Sequence, residues 1–163
     1  MKLFNINLVE GVNIPSWLLS SLFAGYIMYL VDLALEGWFG LFGSYKLFKS
    51  WLVEADIFSG IEDIALFIGH ELNSVILSLF FVNPVFYKRL PENLFFKGLS
   101  FGILWHLAVI FVCVVFGISG SIWLYQLLTM PVKEHISLFL LHIVWGLSLS
   151  YLYRPNTAKT LEG

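Results

Sequence analysis

Charge is scarce in this chain, and cysteine is nearly absent. Only 12% of its 163 residues are Asp, Glu, Lys or Arg, about half the share of a soluble domain, near 25%. With 59% hydrophobic residues, a chain so poor in charge has too few polar side chains to face water. Its mean hydropathy is +0.85, and lipid is the natural solvent. The lone cysteine, Cys113, excludes an intrachain disulfide and any CxxC metal or redox motif. The nine basic residues form no stripe of the kind that follows a phosphate backbone, so nucleic acid is not an expected partner. The formal net charge of −2 says nothing about partners, because charges on a membrane protein sort by side. Also missing is the basic tip and apolar core of a cleavable signal peptide. Residues 1–15 hold Asn5, Asn7, Glu10 and Asn13 instead. The first spanning helix is therefore expected to act as its own insertion signal. No internal repeat or low-complexity tract is present, and the last residues, Leu161, Glu162 and Gly163, carry no weight.

Long apolar runs are present. A helix needs roughly 20 residues, at about 1.5 Å each, to cross a hydrocarbon core of about 30 Å. Four stretches meet this: Ser16 to Phe39, Gly60 to Val82, Phe96 to Ile118, and Val132 to Tyr153. Their ends carry the expected punctuation. Pro15 and Pro131 suit first turns, and Asn83-Pro84 and Arg154-Pro155 stop helices. The expectation is a single all-α domain over residues 1–163, an integral membrane four-helix bundle.

The connections are aromatic rather than simply polar. Trp38 to Phe58 interleaves Phe42, Tyr45, Phe48 and Trp51 with Lys46 and Lys49. Val85 to Phe95 mixes Phe86 and Tyr87 with Lys88 and Arg89, and Ile122 to Met130 carries Trp123 and Tyr125. Rings alternating with charges suit the headgroup zone, so short interfacial helices are expected there. Orientation follows from basic residues near the span ends. Lys2, Lys88, Arg89, Lys97, Arg154 and Lys159 fall on the side of both termini, against Lys46, Lys49 and Lys133 on the other. The positive-inside rule then places both termini in the cytoplasm of an inner or plasma membrane.

Ionisable residues within spans cost roughly 2.5–3.5 kcal/mol each on insertion scales and usually turn inward for a reason. The first span holds Asp32 and Glu36; the second holds Glu62, Asp63, His70 and Glu71. His106 lies in the third, and His135 and His142 lie in the fourth. At about 1.5 Å per residue, Asp32, His70 and His142 fall roughly 10–15 Å below the non-cytoplasmic surface, with His106 about a turn deeper. At about 100° per residue, each helix places its polar groups on one face with small residues. These faces are Ser21, Gly25, Asp32 and Glu36; Asp63, His70, Asn73 and Ser74, with Glu71 on the flank; Gly102, His106, Cys113 and Gly117; and His135, His142, Gly146 and Tyr153.

Imidazole with carboxylate is the ligand set of zinc, iron, copper or manganese. Asp32, His70, Glu71, His142, His106 and Glu36 are the candidate metal ligands, serving a redox or structural centre. A haem b clamped by two histidines, drawn from His70, His142 and His106, is the alternative and would suit a quinol-linked electron-transfer subunit. The carboxylates favour a non-haem ion. A proton or cation pathway and a non-catalytic accessory subunit are further readings. Against all of them stands plain interhelical hydrogen bonding by the histidines. The bilayer is the expected surrounding, and other membrane subunits or a second copy the expected partners.

The fourth span, from His142-Ile-Val-Trp-Gly146 to Tyr151, resembles the last helix of some small bacterial four-span membrane proteins, with its His-xxx-Gly pattern and closing tyrosine. That resemblance implies a four-span membrane protein and no activity.

Overall fold

The computed structural model describes residues 8–41 and 43–156. Lys2, Asn5, Asn7, Phe42, Lys159 and residues 161–163, named above, lie outside them. Helices α1 (Ile14–Phe39), α2 (Ser44–Glu54), α3 (Glu62–Leu77), α4 (Leu79–Val82), α5 (Pro84–Tyr87), α6 (Leu94–Ile118), α7 (Ile122–Thr129) and α8 (Val132–Leu152) follow one another, with no strand among the described residues. Four of these stretches are long and apolar enough to cross a membrane: α1, α3 continued by α4, α6, and α8. The chain is an integral membrane protein with an all-α four-helix bundle.

Asparagine marks three helix starts. Asn13, Asn83 and Asn93 accept bonds from the first-turn amides of α1, α5 and α6, and Pro15 and Pro84 occupy first turns where no amide is required. The two predicted interfacial connections before and after the α3–α6 pair are helical, as α2 and α7. They lie against each other through Trp51 and Trp123, whose rings stack 6.4 Å apart.

Small residues decide how the spans pack. A Cβ on Gly146 would stand 2.4 Å from the Gly98 carbonyl oxygen, and one on Gly102 would stand 2.7 Å from that of His142. Helices α6 and α8 therefore touch backbone to backbone, the close approach that small residues permit between membrane helices. Helices α1 and α3 are joined by serines instead. The Ser21 and Ser78 hydroxyls lie 2.6 Å apart, Ser74 donates to the Ser21 carbonyl at 2.6 Å, and Trp17 donates to Ser78 at 2.9 Å. Trp145 of α8 completes the junction by donating to Ser74 at 2.8 Å. An aromatic cluster of Phe81, Phe101, Trp145 and Tyr153 fills the half of the bundle nearest the termini. Lys97 is buried there, with its ammonium on the Tyr87 carbonyl at 3.0 Å and over the Tyr87 ring. The other half, under α2, is less filled.

Candidate functional site

Beneath α2 lies a cavity of about 390 Å³, walled by α1, α3, α6, α7 and α8. Its roof is Tyr45, Phe48 and Leu52, and its sides include Met28, Leu66, Leu138 and Leu141. The polar groups on its surface are Asp32, Ser44, His70, Asn73 and His142, with Tyr29 and Tyr45. A smaller space of about 90 Å³ shares Met28, His70, Asn73 and His142 with it and runs on to Trp105 and Trp145. Three of the six residues singled out in the sequence, Asp32, His70 and His142, thus border one cavity. Each is held by a partner of its own.

Asp32 is buried in α1, and its carboxylate serves the start of α2. It accepts from the Ser44 amide at 2.9 Å, the Tyr45 amide at 2.9 Å and the Ser44 hydroxyl at 3.2 Å. Gly43, the residue before α2, has no side chain with which to cap that helix. A negative charge at a helix start satisfies its free amides and opposes its dipole. Asp32 is a remote cap, and it pulls α2 down over the cavity. Tyr45 closes the same edge by donating its hydroxyl to the Asp63 carbonyl at 2.7 Å. Burial, followed by the neighbouring Tyr29 and Asp63, pushes the Tyr45 phenol up to about 12.

His70 approaches the Gly25 carbonyl with Nε2 at 3.0 Å. A carbonyl only accepts, so Nε2 carries the proton and a neutral ring keeps Nδ1 as an acceptor. Asn73, one turn on, has no hydrogen-bond partner among the described residues and lines both spaces. The sequence places it on the His70 face, yet its role as a free amide depends on the emptiness beside it, which no residue pattern announces. His142 is buried, and its Nδ1 lies 3.0 Å from Nδ1 of His106. One ring donates and the other accepts. Counting along the helices puts His106 a turn deeper than His142; in the structure the two rings meet, 5.2 Å between centroids.

The remaining candidates lie elsewhere. Glu36 pairs with Lys46 at 3.0 Å on the exposed rim. Glu71 is absent from the cavity wall and lines a separate groove between α1 and α3. Of the residues near the mouth, Asp63 meets Lys49 at 2.6 Å and His135 turns to the Leu128 carbonyl at 3.2 Å. Among the described residues no three His, Cys, Asp or Glu side chains are grouped so that they could hold one metal ion. Cys113 is buried and free.

What the arrangement offers is an apolar chamber with a few hydrogen-bonding groups, roofed by a helix that one carboxylate anchors. No family model, curated protein or solved structure matches the chain.

Proposed function

We propose that this protein binds a small lipophilic molecule with a carbonyl or hydroxyl head in the chamber beneath α2. The observation behind this reading is the chamber: about 390 Å³, apolar over most of its wall, with His70, Asn73 and His142 on one continuous surface. Small-molecule sites are concavities of roughly 300–1,000 Å³, mostly apolar, with a small number of polar groups that set orientation. Nδ1 of His70 and the Asn73 amide supply an acceptor and a donor for the head. Phe48, Leu52, Leu66 and Leu141 surround the body. With the basic residues in excess on the termini side, the chamber lies toward the non-cytoplasmic face of an inner or plasma membrane. Association with other membrane subunits or a second copy belongs to the same proposal, since little polar surface stands outside the spans.

A metal ion is the second reading, and one distance favours it. Two nitrogens bound at about 2.0–2.1 Å to a tetrahedral zinc ion stand roughly 3.3 Å apart, close to the 3.0 Å between the Nδ1 atoms of His106 and His142. Such an ion, whether zinc, iron, copper or manganese, would take its other ligands from water or from the chamber's contents. A haem b would instead draw on His70 and His142.

Solvent extraction and mass spectrometry of the purified protein separate these readings, with elemental analysis and an absorption spectrum of the same sample. The expected result is one lipophilic molecule per chain, reduced at least fivefold by Asn73→Ala and by His70→Ala, and changed little by His135→Ala. A stoichiometric metal lost on His142→Ala would replace this reading with the second, and a Soret band would replace it with haem. Unchanged recovery of the molecule from both Asn73→Ala and His70→Ala would overturn the chamber as its site.

A further inference from the structure

Glu71 poses a problem that the chamber does not solve. It sits within the second span, and its Oε1 is buried without a hydrogen-bond partner among the described residues. Its Oε2 occupies the place left by a missing side chain, 2.9 Å from where a Cβ on Gly25 would stand. Beside it runs a groove of about 390 Å³ between α1 and α3, lined by Leu19, Leu22, Phe23, Tyr26, Phe67 and Glu71. No residue of that lining is shared with the chamber. The five apolar and aromatic side chains are exposed on the lipid-facing surface. The wall of the groove is apolar apart from the Tyr26 hydroxyl and the Glu71 carboxyl group.

We infer that this lateral groove binds a lipophilic organic cation, with Glu71 as its counter-charge. Aromatic faces carry negative potential, and three of them beside a carboxylate form a surface suited to a quaternary or delocalised cation. An inorganic ion is a poor match, because calcium and magnesium require several oxygen ligands and the groove offers those of one residue. The groove's volume lies within the range of sites for drug-sized molecules. Among the described residues no Lys or Arg is paired with Glu71. Helices α1, α3 and α4 contain no Lys or Arg, and Lys97 of α6 is already held by Tyr87. A charge that pairs with Glu71 at this depth would arrive with a molecule that partitions into lipid.

Tetraphenylphosphonium is the probe. Equilibrium dialysis against the detergent-purified full chain should show saturable binding of one cation per chain. Glu71→Gln should weaken it at least tenfold, and Glu71→Asp should retain part of it. Neutral triphenylphosphine oxide in tenfold excess should not displace it. Glu71→Gln is nearly isosteric and should melt at the wild-type temperature or above, with recovery of the chamber's own ligand unchanged. Wild-type protein that binds no tetraphenylphosphonium saturably would overturn the inference, as would equal binding by wild type and Glu71→Gln. Loss of the cation on Asn73→Ala with retention on Glu71→Gln would assign it to the chamber and likewise overturn the groove.

Discussion

Asp32 shows how a residue in a span can take its partners from outside that span. A carboxylate there reads as a candidate metal ligand or as the hydrogen-bond partner of a histidine. In the fold its oxygens serve the first amides of α2, and that partner exists only once the connection doubles back. Asp32→Ala would strand these donors at a cost of roughly 1–3 kcal/mol. Faster amide exchange over residues 44–54, with the exchange of α8 unchanged, is the expected measurement. Gly146 is constrained from the other direction. Gly146→Ala would push a methyl into the Gly98 carbonyl and the Gly102 amide, and overpacking of this kind costs about 1–3 kcal/mol. Thermal melting in detergent should fall accordingly. Tyr45 gives a pH signature. Its phenol holds its proton more tightly in the folded chain than when unfolded, so its contribution is complete below pH 10 and is lost as pH rises toward 12. Tyr87, also raised by burial, acts in the same sense. Tyr45→Phe should therefore shallow the alkaline fall in stability without abolishing it. Residue types and faces were legible in the sequence. The partners were not, because each depends on a neighbour brought in by folding.

At the scale of elements the sequence was far more readable. Proline and asparagine sit at helix starts, and the ends of the four spans fall within two residues of those expected from the apolar runs. Spans are legible because a bilayer demands length and hydropathy, which are properties of a sequence window. Helix α2 was readable as an interfacial helix, but its docking was not, since docking rests on Asp32, the Tyr45 hydroxyl and a ring stack with α7. These contacts are unequal. The Lys49–Asp63 pair is exposed on both sides, and exposed pairs contribute about 0–1 kcal/mol. Lys49→Ala should leave the exchange of α2 close to wild type. Trp51→Ala, which removes the buried ring and its stack on Trp123, should accelerate exchange over residues 44–54 and 122–129 together.

The molecule as a whole presents Leu, Ile, Phe and Val outward along its spans. Alkaline carbonate should leave it in the membrane pellet. Four spans also place the α2–α3 connection and the carboxy-terminal segment on opposite sides. With Cys113 buried and free, Ser59→Cys and Asn156→Cys should react with an impermeant maleimide from opposite faces of sealed vesicles. Labelling of both from one face would contradict the topology. The glycine contact between α6 and α8 gives the molecule an uneven mechanical character. Those two helices meet through their main chains, and α8 is the most enclosed of the four spans, whereas the α3–α4 span is the least. Helix α2 leans on α3 at Asp63 and on α1 at Asp32. Lifting the roof would therefore part α2 from Asp32 of α1 and Asp63 of α3, and would leave the main-chain contact between α6 and α8 intact.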